Sequence, residues 1–250
     1  MSAVETPWLY DELAGWWHLF SPPSHYVEEA QDLLPELLAA SHIPPRTLLE
    51  LGAGAGSLAY HLKGELDLTL TDRSPGMLQV SQRVNPECAH LLGDMRTLDL
   101  GRTFDLVLVH DAIMYTTDRG SLKQVFATAY RHLRPGGGAV FVPDCVKETF
   151  EPGTTTGGED GPDGRALRYL QWTWDPDPSD QSYEVAWAFL LREADGSMRV
   201  ETDHHQFGLF PRAAWLALMG EVGFVARSRL DPWGRDVFVA RRPTGFERGA

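Results

Sequence analysis

Three acidic side chains, Glu50, Asp72 and Asp94, each stand at the end of an apolar run in the first half of the chain. A glycine-rich stretch, Gly52-Ala53-Gly54-Ala55-Gly56, follows the first of them directly. Glycine has no Cβ, so such a stretch can turn tightly and let a ligand approach the backbone. The helix expected after it, Ser57 to Lys63, would open with free N–H groups and partial positive charge, which suit a carboxylate or a phosphate. Asp72 lies 20 residues after Gly52, where a carboxylate can accept from both hydroxyls of a ribose. Farther along, His110-Asp111, Tyr115 and Thr116 form one group of side chains able to face a reacting partner, and His204-His205 a second. Imidazoles and carboxylates can take a proton from a nucleophile.

The elements that must position these residues read as alternating strands and helices. Leu48 to Leu51 is an apolar run ending in glycines, as a parallel strand buried on both faces should be. Leu66 to Thr71 ends at Asp72, Leu91-Leu92 ends at Gly93-Asp94-Met95, and Phe104 to Val109 ends at His110. In open α/β sheets ligands sit beyond the carboxyl ends of the strands, which places all of these groups at one edge. Ser24 is expected to cap a helix with Leu33, Leu34, Leu37 and Leu38 on its apolar stripe and a break or kink at Pro35. A helix striped by Leu122, Val125, Phe126 and Ala129 should end at the glycines 136–138, with glycine at its C′ position, before a fifth strand, Ala139 to Val142. Glu151 to Gly164 reads as a mobile surface loop. Ser182 to Arg192 then alternates, with Tyr183, Val185, Trp187, Phe189 and Leu191 on one face. Asp195-Gly196 signals a hairpin to Met198–Leu209, and Arg168 to Trp174 adds a third antiparallel strand. A helix from Pro211 to Glu221 and a hairpin turning at Trp233-Gly234 close the chain.

The chain has 250 residues, with 22 basic and 35 acidic side chains and a net charge of −13. Phosphate contacts need a basic face, so this balance argues against nucleic acid as a partner. Cys88 and Cys145 lie far apart without ligand spacing, and the nine histidines are scattered. We expect neither a disulfide framework nor a metal site, and a reduced cytoplasmic setting. Met1 to Glu5 shows neither a basic nor an apolar leader region, and the sequence holds no run of membrane-spanning length.

The pattern E-x-G-x-G-x-G departs from the dinucleotide fingerprint G-x-G-x-x-G, because Ser57 follows the last glycine. It resembles the first motif of the class I S-adenosylmethionine-dependent methyltransferases. Tyr10-Asp11-Glu12-Leu13-Ala14 matches their Y-D-x-x-A, and Asp72 to Leu78 is similar to their D-x-S-x-x-M-L. Leu133 to Gly137 is similar to their L-x-P-G-G. The resemblance is nearest to bacterial methyltransferases acting on the amine of dTDP-linked deoxysugars. His205 to Phe210 is similar to their H-x-x-x-L-F, and Gly234 to Val239 to their G-R-G-L-F-V, with Asp236 in place of the glycine. His110-Asp111 stands where other members carry apolar or hydroxyl residues.

The resemblance implies a seven-stranded Rossmann-like α/β sheet with an antiparallel sheet inserted after the fifth strand. It divides the chain into an N-terminal helical lid (1–45), a cofactor-binding core (46–150), the inserted sheet beside the substrate cleft (151–209) and a closing helix and hairpin (210–250). It implies S-adenosylmethionine held by Tyr10, Trp17, Glu50, Gly52, Ala53, Gly54, Gly56, Asp72, Arg73, Met77, Asp94, Met95 and His110. Asp94 and Met95 would hold the adenine, and His110 would border the methionine moiety. For the proton leaving the acceptor, His110, Asp111, Tyr115, His204 and His205 are candidates; His205, Asp111 and Tyr115 are selected, the family match favouring His205 over its neighbour. The acceptor would be a small molecule, and a homodimer is possible. A methyltransferase acting on a non-sugar amine or hydroxyl, a nicotinamide-dependent oxidoreductase and a non-catalytic cofactor-binding module remain as alternatives.

Overall fold

A computed structural model describes residues 8–245; the opening residues Met1 to Glu5 lie outside them. Seven strands form one sheet in the order β10-β11-β5-β4-β1-β2-β3. Its parallel part comprises β1 (Thr47–Leu51), β2 (Asp67–Asp72), β3 (Ala89–Leu92), β4 (Phe104–His110) and β5 (Leu133–Val142), and β11 (Asp236–Arg241) pairs antiparallel with both β5 and β10 (Val225–Leu230). The central strands are largely apolar because helices cover both faces; Glu50, Asp105 and His110 are their buried polar exceptions. On one face Leu49, Val107 and Phe141 pack under α5 (Arg119–His132) and α6 (Arg212–Val222); on the other Leu48, Leu106 and Val140 pack under α2 (Val27–Ala40).

The inserted sheet has four strands, β6 (Gly153–Gly157), β7 (Ala166–Trp174), β8 (Ser182–Arg192) and β9 (Met198–Gly208), in sequence order. The strand β6 corrects the reading of Glu151 to Gly164 as a loop. Its threonines are β-branched and pair residue for residue with β7, from Gly153 against Thr173 to Gly157 against Tyr169. The alternation in β8 holds, with Tyr183, Val185, Trp187, Phe189 and Leu191 all buried. This face packs on Leu9, Leu13 and Trp16 of the N-terminal segment and on Met114. The opposite face leaves Leu170, Trp172, Leu190, Met198 and Val200 exposed.

Other expectations change in detail. Pro35 neither breaks nor ends α2. It lies on the exposed side, while Ala30, Leu33, Leu37 and Ala40 are buried against the sheet and hold the helix together across the missing N–H. Ser24 falls in a 3₁₀ turn, Pro23–Tyr26, and caps nothing. The helix after the glycine loop is a single turn, α3 (Ala59–Leu62). No glycine stops α5; its last residue, His132, passes directly into β5 through an extended Leu133. The glycines serve contact instead, since a Cβ at Gly138 would overlap the backbone of Ala40 at the end of α2.

Trp215 of α6 is buried and stacks on Phe238 of β11, with ring centroids 4.9 Å apart and planes 9° from parallel. Its indole Nε1 is buried without a hydrogen-bond partner. Trp215→Ala should lower the unfolding free energy in urea by about 3–5 kcal/mol. Trp215→Phe should cost less, because it keeps a ring to stack on Phe238 and leaves a smaller cavity while removing the unpaired donor.

Candidate active site

The carboxyl ends of β1, β2, β4 and β5 open into one cavity of ≈ 800 Å³. Its floor is the glycine loop. The N–H groups of Gly52 and Ala53 both donate to Thr71 O at 2.8 Å, which ties the loop to β2. Gly52, Gly54 and Gly56 all take positive φ, of 76°, 54° and 71°. At Gly56 a side chain would also strike Ser81 and Asn85 of the following helix layer, and Asn85 Nδ2 donates to Gly56 O at 2.9 Å. Gly56 therefore sets how closely the loop packs, and it lies behind the cavity wall, as does the buried Met77.

Asp72 ends β2. Its Oδ2 accepts from Gly54 N at 2.9 Å and its Oδ1 from Ser74 N at 2.8 Å, which fixes the carboxylate and leaves each oxygen a lone pair toward the cavity. Burial pushes its pKa up despite these bonds. Asp94 is held below its ordinary value by Arg96, which donates to it through Nε at 2.9 Å and Nη2 at 2.5 Å. Glu50 is 3% exposed and its Oε2 has no hydrogen-bond partner, so burial raises its pKa to about 7. That orphaned acceptor, facing a cavity floored by glycines, suits the ammonium group of an amino acid. Ala53, Arg73, Met95, Tyr10 and Trp17 complete this half. The Tyr10 and Trp17 rings lie 5.4 Å apart, and Ser74 Oγ donates to Tyr10 O at 2.6 Å, fastening the N-terminal segment over the loop after β2.

In the other half Tyr115 stands at the centre of a chain of hydrogen bonds. Its hydroxyl donates to Tyr10 Oη at 2.8 Å and lies 2.5 Å from His205 Nδ1. His205 Nε2 is 3.0 Å from Asp203 Oδ2, which also accepts from Leu9 N at 2.8 Å. Burial pushes both phenols above their ordinary value, so they stay neutral. His205 is buried behind Tyr115 and reaches the cavity only through it. His204 points to the outer face of the sheet, 2.9 Å from Glu184, as the alternation of a strand requires. Thr116 is buried, with its hydroxyl donating to Ile113 O. Neither reaches the site.

His110 lines the cavity and is buried. Its Nε2 is 2.8 Å from Glu29 Oε1 and its Nδ1 is 3.2 Å from Asp111 Oδ2. Burial alone would lower its pKa; the Asp111 and Glu29 carboxylates outweigh this and raise it to about 9. Burial likewise pushes Glu29 up, but His110 and Arg235 bring it down to about 2. Arg235 bonds both Glu29 and, at 2.7 Å, Asp231. Glu29, Arg235, Asp203, Tyr26 and Asp144 are residues that the sequence reading missed. Asp144 was within reach of it: it follows the end of β5 as Asp111 follows β4. Glu29 and Arg235 stand 206 positions apart, and nothing local connects them.

The fold, the glycine loop and the acidic strand ends define a class I S-adenosylmethionine-dependent methyltransferase. The methyltransferase-domain family matches residues 48–137. The chain is 32% identical over 202 residues to the dTDP-4-amino-2,3,4,6-tetradeoxy-D-glucose N,N-dimethyltransferase of Saccharopolyspora spinosa, covering 79% of each. It is 26% identical over 217 residues to the dTDP-3-amino-3,4,6-trideoxy-α-D-glucopyranose N,N-dimethyltransferase of Streptomyces venezuelae, covering 86% of this chain and 90% of that one. Its structure superposes on the S-adenosylmethionine-bound amino pentose methyltransferase of Micromonospora echinaspora with a TM-score of 0.73 at 25% identity, covering 87% and 91%. The chain belongs to the family of S-adenosylmethionine-dependent N-methyltransferases that these enzymes represent, and its cofactor is S-adenosylmethionine.

The His110 site has a signature in pH. A pKa raised from 6.5 to about 9 on folding stabilises the fold fully below 6.5 and loses that stabilisation as pH rises through 9. In urea denaturation the advantage of the wild type over His110→Gln should be full near pH 6 and gone near pH 10.

Proposed function

We propose that the chain methylates an amino group on a nucleotide-linked deoxysugar in natural-product biosynthesis. The observation that carries this reading is the composition of the acceptor half of the cavity. It has aromatic walls, Tyr115, Tyr183, Trp187 and Phe207, and carboxylates rather than lysines or arginines at its inner end, Asp111 and Asp144. Such a pocket takes an amine on a compact apolar ring. The names of the two relatives point to the same substrate class.

In this reading Glu50, the backbone of Gly52 to Gly54, Asp72, Arg73, Asp94 and Met95 hold the cofactor, and Tyr10 and Trp17 cover it. Gly56 and Met77 support the loop from behind. When bound, the cofactor supplies an electrophilic methyl on a sulfonium, so the protein chiefly has to hold the nitrogen in line and dry; positioning of this kind contributes roughly 7–11 kcal/mol. The Tyr10–Tyr115 pair orients the nitrogen. After transfer the methylated ammonium has a proton to release, and the chain Tyr115–His205–Asp203 carries that one away from the cavity, with Asp203 beside the imidazole. Of the expected lid, the segment from Trp8 to Phe20 covers the cavity, while α2 packs on the main sheet as part of the core.

Among the described residues no helix is long and apolar enough to cross a membrane, and with a net charge of −13 we place the enzyme in the cytoplasm without a nucleic-acid partner. A homodimer is supported by the exposed apolar face of the inserted sheet, where Leu170, Trp172, Leu190 and Val200 stand 42–64% exposed.

Thermal denaturation with S-adenosylhomocysteine at about 100 times its dissociation constant should show a rise of roughly 5–10 °C, weakened in Asp72→Ala and absent with NAD. With S-adenosylmethionine and a dTDP-amino-deoxysugar, mass spectrometry should show one and then two added methyl groups. Tyr115→Phe should lower kcat by roughly 10²-fold or more and leave S-adenosylhomocysteine affinity unchanged. Full turnover by this variant, and by His205→Gln, would remove the proton chain from the mechanism.

A further inference from the structure

Neighbouring strands β4 and β5 run parallel with His110 beside Val142; Asp111 follows β4 directly and Asp144 lies two residues beyond β5, and both line the cavity. Asp111 takes φ 44°, the one non-glycine residue with positive φ among the described residues. Its N–H donates to Val142 O at 2.9 Å, so the turn is built into the sheet edge and not left to a loop. One carboxylate oxygen, Oδ2, faces His110; the other, Oδ1, is buried without a hydrogen-bond partner. Asp144 faces Asp111 closely enough to bond it when protonated. Enclosure by the cavity walls and then the Asp111 carboxylate push Asp144 well above its ordinary value, as for any two carboxylates that share a site.

The cavity supplies this pair with one cation, His110, and the pair shares it with Glu29. Of all the lining residues only Arg73, Arg96 and His110 can carry positive charge. Arg73 and Arg96 belong to the loops after β2 and β3, beside Asp72 and Asp94 in the cofactor half. His110 already faces Glu29 as well as Asp111. Glu151 adds a further acid to the acceptor half. The inner end of that half therefore holds more acids than cations, with His110 shared between Asp111 and Glu29 and Asp144 left without one of its own.

We propose that Asp111 and Asp144 are the residues that select an amine: they seat the acceptor as its ammonium ion and take up the proton that nitrogen must lose before it can be methylated. The proposal rests on the reading of the acceptor as an amine given above. Empty, the pair holds one proton. An incoming ammonium displaces that proton to solvent and sits against two carboxylates. It then returns one of its own protons to Asp144, which leaves a neutral amine beside a singly protonated pair. The net change is one ammonium bound as amine and one proton released. The nitrogen lone pair then forms the new N–C bond while the C–S bond breaks, its electrons returning to sulfur and the positive charge passing to nitrogen. A diphosphate meets no base in this half of the cavity, so the acceptor enters amine first and keeps its anionic end at the mouth.

Calorimetry on the S-adenosylhomocysteine complex tests this. The ligands are a dTDP-4-amino-deoxysugar and its 4-hydroxy counterpart, and the proteins are the wild type, Asp111→Asn and Asp144→Asn. Asparagine keeps the shape and tolerates positive φ. The aminosugar should lose at least about 30-fold in affinity in each variant, while the hydroxy sugar and S-adenosylhomocysteine change by less than about threefold. Asp144→Glu should recover part of the loss. Equal losses for both sugars would show a role in shape alone, and unchanged aminosugar affinity in both variants would remove the pair from recognition; either result overturns the proposal. If the wild type binds neither sugar, the proposed acceptor class is wrong. The pair is then tested with cyclohexylammonium against cyclohexanol, where wild-type preference for the cation, lost in both variants, sustains it and the absence of preference overturns it.

Discussion

A cavity lined by Glu50, Asp72, Asp94, Asp111, Asp144 and Glu151 has to be kept from flying apart by its own charge. Desolvated carboxylates are costly unless they are paired or hydrogen-bonded. Each of these acids meets that demand differently, and the differences organise the site. Asp72 is held by two backbone N–H groups and Asp94 by an arginine two residues on. Glu50 has its pKa raised until it can be neutral near pH 7. Asp111 is balanced by an imidazolium whose other nitrogen is anchored through Glu29 to Arg235. This last chain of charges spans the sheet from α2 to the turn between β10 and β11. It joins elements from the two ends of the sequence at the place where the reaction occurs.

Much of this was legible in the sequence, and for identifiable reasons. Strand ends announce themselves when an apolar run stops at glycine or an acid, so Glu50, Gly52, Gly54, Asp72 and Asp94 could be placed from their neighbours alone. The period of two in Ser182 to Arg192 survived because one face of that sheet is fully covered. The failures are equally specific. Pro35 carries a strong local signal that packing by Leu33 and Leu37 overrides. The glycines 136–138 look like a helix stop, yet they permit a strand to approach Ala40. Glu29 and Arg235 act on one another across 206 positions, and no local pattern reports such a pair; Asp203 stands two residues before His205 on β9, a spacing that puts both on one face. His110 and Asp111 were read as candidates, but the state of His110 depends on Glu29, which no pattern near residue 110 contains.

The inserted sheet gives the family fold a second wall. The seven-stranded sheet can only present the edge formed by its strand ends. The four-stranded sheet stands across that edge and contributes Gln171, Thr173, Tyr183, Trp187, Gln206 and Phe207 to the same cavity. The site thus has one half built from strand ends, where charge and backbone groups gather, and one built from a sheet face, where large side chains gather. The cofactor and acceptor halves proposed above divide along this line, and variation in β7 to β9 would then alter the acceptor half without touching the glycine loop.

Ser74 occupies a small but consequential position. Its hydroxyl accepts from Met77 N at 3.0 Å, capping α4 (Pro75–Val84), and donates to Tyr10 O at 2.6 Å. A hydroxyl has one proton and two lone pairs, so the two bonds do not compete. Were the N-terminal segment to lift, that proton would turn to water and the cap would stay formed. Roof and floor are thereby separable. The loop that carries Asp72 would keep its shape through such an opening, so a spent cofactor could leave and a fresh one arrive without that wall of the cavity having to re-form at each turnover.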